Sequence, residues 1–302
     1  MRYRPFGRSG SAVSNLTFSV GQAMLARGRD KALELLYSAL EEGVNSYRLE
    51  TADPVVAEVL GEALSHVDRK LVCVTLTLGM GDGRSGDRDF SAEGMTAAID
   101  RVLHFSSLGW LDVAVLHEPG EQELPQTSLN ALKALRATGR VRLLGVSGDA
   151  DVMDAYVSTG AFDVLVTPYN IHSGWQIRAR IRTAREQDMS IFAYDYYPAC
   201  LHGQPDPVQA ATRKRGLFGF GGGAAVKPLP AAFDAFAFLH HTRNWSAEAI
   251  CLANILTDPS LTSVIVSAGD PERLAELAAT PEREMPPGLA AQIEMARLNP
   301  SA

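Results

Sequence analysis

The sequence contains little lysine and little cysteine, and these shortages exclude several classes of protein. Its 302 residues carry a formal net charge of −7. The five lysines are Lys31, Lys70, Lys133, Lys214 and Lys227. The other basic residues are arginines, and it is the net charge and the pI of about 5.5 that argue against an extended surface for nucleic acid or anionic membranes. The three cysteines, Cys73, Cys200 and Cys251, are odd in number and far apart, so we expect reduced thiols and no disulfides.

Long apolar runs are absent from the sequence as well. No stretch approaches the ~20 apolar residues that span a bilayer. The first ten residues, MRYRPFGRSG, lack the apolar core of a signal peptide. His202, His240 and His241 show no metal-ligand spacing with carboxylates. These observations predict a cytoplasmic protein that uses neither a membrane nor a metal ion.

The sequence does contain a regular alternation of two patterns. Short apolar, β-branched runs predict strands at Leu16–Val20, Ser46–Leu49, Leu71–Thr77, Leu111–Leu116, Val141–Val146, Phe162–Thr167, Ser190–Tyr194 and Leu261–Val266. Helical periodicity predicts helices at Asp30–Glu42, Pro54–Val67, Ala92–Leu108, Thr127–Ala137, Val152–Ser158, Trp175–Gln187, Ala247–Leu256 and Pro271–Leu277. Eight such units favour a closed (β/α)8 TIM barrel. No Gly-rich dinucleotide loop follows the first strand to support a doubly wound sheet.

Two segments extend this repeat. Residues 203–230 form a long connection whose centre, RKRGLFGFGGGAAVKPLP, is basic and rich in glycine. A final helix is predicted over Leu289–Leu298. We therefore expect one domain over residues 1–302, with an extra C-terminal helix and with the 203–230 loop over the C-terminal face of the barrel.

The C-terminal ends of the strands define the candidate site, because TIM barrels carry their chemistry there. In this sequence these positions are polar and aromatic, which suits a small polar ligand. They are Gly21-Gln22, Glu50-Thr51, Thr77, His117-Glu118, Ser147-Gly148, Tyr169-Asn170, Asp195-Tyr196-Tyr197 and Ser267–Gly269.

Several stretches of the chain resemble the aldo-keto reductases in order and spacing. They include YRPFGRSGSAVSNLTFSVG at the start, YRLETADPVVAEVLGEAL, RVLHFSSLGWLDVAVLHEPG, LKALRATGRVRLLGVSG and LTSVIVSAGDPERLAELA. The resemblance implies a TIM barrel with an N-terminal β-hairpin and an NADPH-dependent reduction of carbonyl compounds. In that reaction a tyrosine, assisted by a lysine and an aspartate, protonates the carbonyl oxygen, and a histidine orients it.

The resemblance matches only part of this catalytic set. His117 stands at the position of the histidine, and Glu50 replaces the aspartate with a side chain one methylene longer. The position of the lysine falls on Thr77 or its neighbour Leu76. Of the five lysines, only Lys214 and Lys227, in the loop at 203–230, could reach the site and take the place of this lysine.

The position of the tyrosine is also changed, because the turn after the second barrel strand is two residues short. Counting forward from the strand places the tyrosine at Val55, and counting back from the helix places it at Asp53. Tyr47 is close in sequence, but it precedes Glu50 by three residues. Strand alternation therefore points Tyr47 and Glu50 to opposite faces.

The resemblance also indicates which residues would hold the cofactor. It implies that Ser147 and Tyr194 lie beside the nicotinamide, with Tyr196 as the alternative aromatic. Asp270 and Arg273 would lie at the adenosine phosphate, where a helix N-terminus offers free backbone N–H groups. The alternative for Arg273 is a helix-surface residue without a ligand. Three further cofactor positions are replaced, by Gly148, Val166 and Leu277.

The first functional hypothesis is a rewired or redox-inactive family member with weak or no NADPH binding. Glu50 and His117 would move protons in the enolisation, dehydration or epimerisation of a small polar metabolite. Alternation places Arg48 on the same face as Glu50, so the alternative role of Glu50 is to neutralise Arg48. The alternative for His117 is a hydrogen-bonded rim residue without a catalytic role.

The second hypothesis is an NADPH-dependent carbonyl reductase with substitute catalytic residues. Tyr196, Tyr197 or His117 would donate the proton, and Lys227 or Arg48 would lower the pKa of that donor. The replaced tyrosine, lysine and amide-binding positions all argue against this hypothesis, whereas the family resemblance argues for it.

The third hypothesis is a non-catalytic binding or scaffold protein. The apolar residues Phe218 and Phe220, in the segment 213–230, would then contact a partner protein. The same loop would alternatively be a lid over the pocket. Its RKRG cluster would either meet phosphates or remain solvated.

Overall fold

The computed structural model describes residues 1–7, 10–80, 88–202 and 231–298. The chain begins with an antiparallel hairpin of β1 (Tyr3–Phe6) and β2 (Ser11–Ser14). Eight parallel strands then form a closed barrel in chain order, with the last strand beside the first. They are β3 (Leu16–Val20), β4 (Ser46–Leu49), β5 (Cys73–Leu78), β6 (Leu111–His117), β7 (Val141–Ser147), β8 (Val164–Pro168), β9 (Ser190–Tyr194) and β10 (Ser263–Val266).

Helices follow the strands and cover the outside of the barrel. The α-helices are α1 (Arg29–Glu41), α2 (Pro54–Leu64), α3 (Ala92–Ser106), α4 (Gln126–Ala137), α5 (Val152–Ser158), α6 (Trp175–Glu186), α7 (Ala247–Leu256), α8 (Pro271–Ala279) and α9 (Leu289–Leu298). Short 3-10 helices lie at Gln22–Arg27, Arg69–Leu71, Ala199–Leu201, Ala231–His241 and Thr280–Glu282. The predicted TIM barrel, hairpin and final helix are confirmed. The predicted loop at 203–230 lies outside the described residues.

Three strands, β5, β8 and β10, begin two residues later than predicted, and hydrogen bonds lie just before the first residue of each. Before β5, Asp68 accepts a hydrogen bond from the backbone N–H of Lys70 at 3.0 Å and caps a 3-10 turn. Before β8, the Asp163 carboxylate accepts a hydrogen bond from the backbone N–H of Leu144 at 2.9 Å. Before β10, the backbone N–H of Leu261 donates to the carbonyl of Asp258 at 3.4 Å. The apolar runs therefore extend beyond the strands at these three places.

The hairpin closes the N-terminal end of the barrel. Phe6 and Val13 belong to one apolar cluster with Val113, Val164 and Phe192 from the barrel interior. The rings of Phe6 and Phe192 are 5.8 Å apart. Because apolar side chains fill this end, the C-terminal mouth is left as the open end of the barrel.

The barrel interior has a polar side and an apolar side. On the polar side, the hydroxyl of Thr17 is hydrogen-bonded to Ser46 at 2.8 Å and to Ser263 at 2.7 Å. The strands β6 to β9 contribute mainly valine and phenylalanine to the interior. The polar residues His117, Ser147 and Tyr194 lie at the C-terminal ends of β6, β7 and β9.

A charged cluster lies at the closed end, at the start of β6. The nearly buried carboxylate of Asp112 accepts hydrogen bonds from Arg69 at 2.7 Å, from Trp110 Nε1 at 3.1 Å and from the backbone N–H of Val74 at 2.9 Å. Arg142 is 3.5 Å from the same carboxylate. The guanidinium carbons of Arg69 and Arg142 lie 4.5 and 4.0 Å from the centre of the Trp110 ring. We call this the Asp112 cluster.

Candidate functional site at the barrel mouth

A cavity of about 610 Å³ opens at the C-terminal mouth. Its walls come from β3, β4, β9 and β10 and from the first turns of α7 and α8. Five of the predicted site residues line this mouth cavity: Arg48, Glu50, Tyr194, Tyr196 and Arg273. The three other predicted residues, His117, Ser147 and Asp270, lie outside its lining.

The carboxylate of Glu50 is held on the β3 side of the mouth. Ser19 donates its hydroxyl hydrogen to Glu50 Oε1 at 2.8 Å. A Cβ atom at position 21 would overlap this carboxylate, so Gly21 leaves the space that Glu50 occupies. No ion pair joins Glu50 to Arg48 in the described part of the chain, although both residues line the cavity.

The guanidinium of Arg48 is held on the β5 side of the mouth. Its Nε donates to Thr77 Oγ1 at 3.0 Å. Burial lowers the pKa of Arg48, while the nearby Glu50 and Tyr194 act in the opposite direction. Thr77 is the residue at which the sequence comparison places the lysine of the aldo-keto reductases. The guanidinium of Arg48 on β4 therefore contacts Thr77, which with its neighbour Leu76 marks where the resemblance expects a lysine on β5.

His117 ends β6 and shares the interior face with Val113 and Val115, by strand alternation. Its Nδ1 is buried and has no hydrogen-bond partner among the described residues. Burial lowers the pKa of His117; the charge of Glu118 opposes this effect, and the charges of Arg48 and Arg88 add to it. An unperturbed histidine has a pKa of about 6.5, so this imidazole is neutral at pH 7.

Ser147 and Tyr194 occupy neighbouring parts of the mouth. Ser147 is paired with His117 across β6 and β7, and its buried hydroxyl has no hydrogen-bond partner among the described residues. Tyr194 ends β9 and lines the cavity, and burial raises its pKa to about 12. An unsatisfied hydroxyl and an aromatic ring are both able to contact a bound amide-bearing ring.

The two positions that correspond to the missing tyrosine have other roles. Asp53 begins α2 as its N-cap and accepts hydrogen bonds from the backbone N–H groups of Val55 at 2.9 Å and Val56 at 3.0 Å. The same carboxylate accepts a hydrogen bond from Gln22 at 2.7 Å. The side chain of Val55 is exposed on the first turn of the helix. Both side chains therefore serve the start of α2.

The tyrosines that the sequence suggested as substitute proton donors are already hydrogen-bonded. Tyr196 donates its hydroxyl hydrogen to Glu248 Oε1 at 2.5 Å, and burial raises its pKa to about 12. Tyr197 donates to the backbone carbonyl of Leu201 at 2.9 Å. A phenol that donates to a fixed acceptor has to break that bond before it can protonate a ligand.

Arg273 forms a closed network with acidic residues. It pairs with Glu248 on α7 and, at 2.9 Å, with Glu276 one turn along α8. Asp270 caps α8 by accepting a hydrogen bond from the backbone N–H of Arg273 at 2.9 Å. Sequence reasoning missed Glu248. Its position was detectable from the sequence, because Glu248 lies in the first turn of the predicted helix Ala247–Leu256, directly after the capping residue Ser246.

These contacts test the fit of an NADPH molecule, the cofactor implied by the resemblance. Ser147 and Tyr194 fit its nicotinamide end. The adenosine-phosphate end does not fit, because Glu248 already neutralises Arg273 and because Leu277 is buried in the core. Elsewhere, no group of three or more histidine, cysteine, aspartate or glutamate residues able to hold a metal ion is present in residues 1–7, 10–80, 88–202 and 231–298. The helices in these ranges are all too short or too polar to cross a membrane.

A closed (β/α)8 barrel with a hairpin at its base and a polar mouth defines the architectural class of this protein. Residues 17–296 match the model of the Aldo/keto reductase family, so the chain belongs to that family. This confirms the resemblance seen in the sequence. The chain also superposes on an aldo-keto reductase from Bacillus halodurans, AKR11C1 in its holo form, with a TM-score of 0.75 and 18% identity over 98% of this chain and 96% of that one. At this identity the likeness shows the fold alone. No protein of curated function matches the sequence.

Proposed function

We propose that the protein is a rewired aldo-keto reductase that binds NADPH weakly or not at all and transfers protons on a small polar metabolite. One observation carries this proposal: the Glu50 carboxylate at the mouth cavity is held by the hydroxyl of Ser19 and is not neutralised by Arg48. The single hydrogen bond from this neutral hydroxyl leaves other lone pairs of the carboxylate free, and a general base needs a free lone pair.

The geometry supports a proton transfer next to a carbonyl group. Glu50 takes a proton from the carbon beside the carbonyl, and the electron pair moves to the carbonyl oxygen. The positive charge of Arg48 stabilises the resulting oxyanion. A proton returned to the same carbon from another side gives epimerisation, and one returned to the oxygen gives an enol. The proton that Glu50 has taken exchanges with solvent, and the returning proton comes from Glu50 on its own side or from water in the cavity on the other.

The charges of the cavity limit what it binds. Three carboxylates, Glu50, Asp195 and Glu248, line it together with the guanidiniums of Arg48 and Arg273. This balance favours a ligand with at most one negative charge, because a multiply charged anion meets like charges on the walls. NADPH carries several negative charges, so the same balance supports weak or absent NADPH binding.

A second candidate function is an NADPH-dependent carbonyl reductase. It is favoured by the unsatisfied hydroxyl of Ser147 beside the mouth and by the ring of Tyr194. NADPH, when bound, supplies a hydride ion. Proton donation is the weak point of this candidate, because the lowered pKa of His117 leaves it neutral at pH 7.

Hydrogen–deuterium exchange separates the two candidates. The protein is incubated in D2O, without nicotinamide cofactor, with a panel of small carbonyl compounds such as dihydroxyacetone, glyceraldehyde and pyruvate. Proton NMR then follows the exchange at the carbon beside the carbonyl. We expect exchange that Glu50→Gln abolishes and that Glu58→Gln, a change at an exposed ion pair, leaves intact. Calorimetric titration with NADPH and NADP+ is run in parallel. Micromolar binding together with carbonyl reduction would reject the proposal.

A further inference from the structure

Arg48 differs from the other largely buried arginines of the described chain. Each of those arginines is neutralised or fully bonded. Arg69 pairs with Asp112, Arg180 pairs with Asp154 at 2.5 Å, and Arg4 donates to the backbone carbonyls of Leu256, Asp258 and Leu261. Arg48 has one hydrogen bond, to the neutral hydroxyl of Thr77. A desolvated charge without a counter-ion is costly, so its presence needs an explanation.

The free part of this guanidinium faces the mouth cavity. Only Nε is used by Thr77, and the two terminal nitrogens make no hydrogen bond to any residue that the structure describes. Arg48 is one of the residues that line this cavity, so its guanidinium is within reach of a ligand there. The nearest carboxylate on the same strand, Glu50, is drawn away by Ser19 and by the space above Gly21.

This arrangement leaves a planar fork of N–H donors at the wall of the cavity. A carboxylate matches such a fork, because its two oxygens accept two parallel hydrogen bonds from one guanidinium. A doubly charged phosphate matches it less well here, because the carboxylates of Glu50, Asp195 and Glu248 share the same walls.

We propose that Arg48 is the binding site for the carboxylate group of a small monocarboxylate ligand. The inference rests on the proposed function, because it places the ligand in the same cavity. It further specifies that the ligand carries a carboxylate group. It also assigns different roles to the two residues that alternation brought together. Arg48 holds the carboxylate of the ligand, which in a 2-oxo acid also keeps its positive charge beside the neighbouring carbonyl oxygen, and Glu50 takes the proton.

The test is a binding measurement, which does not depend on turnover. Ligand-observed NMR titrations compare pyruvate and lactate with the uncharged analogues pyruvamide and lactamide, and with inorganic phosphate. We expect the wild-type protein to bind the acids more tightly than the amides or phosphate. Arg48→Met should weaken the binding of the acids about tenfold or more, because it removes the charged fork. Arg48→Lys, which keeps the charge without the fork, should give an intermediate loss.

Two controls make the result decisive. Arg140→Met removes a surface guanidinium that pairs with Asp100 outside the cavity lining, and should leave acid binding within about twofold of wild type. Thermal unfolding of each variant confirms that it is folded. Glu50→Gln should retain acid binding while losing proton exchange. Acid binding by the wild-type protein without any proton exchange would reject the proposed reaction and keep this site. Equal binding of acids and amides, no acid binding by the wild type, or unchanged binding in folded Arg48→Met overturns the inference.

Discussion

The charged side chains at the two ends of the barrel differ in the groups that they bond to. At the closed end, the carboxylate of Asp112 accepts hydrogen bonds from Arg69, Trp110 and Val74 and lies near a second guanidinium. At the mouth, Arg48 and Glu50 line one cavity, yet each is held by a neutral hydroxyl. Charges saturated by protein groups contribute to the fold, whereas charges left unsaturated beside a cavity are available to a ligand. We therefore expect the closed end to contribute to the stability of the fold and the mouth to bind a ligand.

The largest effect is expected from breaking the closed end. Asp112→Ala leaves Arg69 and the backbone N–H of Val74 without their partner, and removal of one partner of a buried ion pair costs about 3–5 kcal/mol. Urea unfolding followed by circular dichroism measures this loss. Asp100→Ala is the matched control, because Asp100 pairs with Arg140 at 2.7 Å on the surface and such pairs contribute about 0–1 kcal/mol. Similar losses in both variants would contradict the special role of the closed end.

A second prediction concerns the ion pairs that Arg273 forms with Glu248 and Glu276 at the mouth. Glu248→Gln removes the charge that neutralises Arg273 and should strengthen the binding of adenosine 2′,5′-bisphosphate about tenfold, which corresponds to ~1.4 kcal/mol. Calorimetric titration measures the change. Glu276→Gln is the control, because Glu276 pairs with the same arginine but its side chain is 70% exposed. If the two variants gain equally, Glu248 has no particular role in excluding phosphate.

The unsaturated charges lead to a prediction of small effect on stability. Arg48→Met should change the free energy of unfolding by less than about 1 kcal/mol in either direction, because the loss of one hydrogen bond is offset by the removal of a desolvated charge. The measurement is the same urea unfolding that is used for Asp112→Ala. A loss comparable to that of Asp112→Ala would mean that Arg48 serves the fold, and the contrast between the two ends would disappear.

The smallest expected effect is a pH dependence from His117. Its pKa is lower in the folded protein than the ordinary value of about 6.5, so the unfolded chain binds the proton more readily. The contribution of His117 to stability is therefore complete above pH 7 and declines as the pH falls through 6.5, levelling off below the folded pKa. Unfolding measured between pH 5 and 8 should show a weaker decline in His117→Gln. Burial also lowers the pKa of His172, so His172→Gln should remove a separate part of the slope.

The sequence predicted the barrel well because its signals are local and repeated. The strands at Leu16–Val20, Ser46–Leu49 and Ser190–Tyr194 have the predicted bounds, since a short apolar run enclosed by turns leaves little freedom. Boundaries were missed where a side chain captured the backbone, as Asp68 and Asp163 do. Such capture depends on which residue a neighbouring segment presents, and periodicity does not contain that information.

The site was predicted less completely for the same reason. Alternation along β4 correctly placed Arg48 and Glu50 on one cavity. The direction in which each side chain leans is set by Ser19 and Thr77, which come from the two adjacent strands. The partner of Arg273 comes from another helix and was not identified. Contacts between segments remote in sequence require the three-dimensional structure.

Gly21 has a consequence for the position of the negative charge at the mouth. The carboxylate of Glu50 occupies the volume that a Cβ atom at position 21 would need. Because the end of a glutamate side chain is flexible, alanine at position 21 would displace this carboxylate and leave the backbone in place, and the carboxylate would lose its contact with Ser19. A residue without a side chain therefore fixes where the charge of another residue lies.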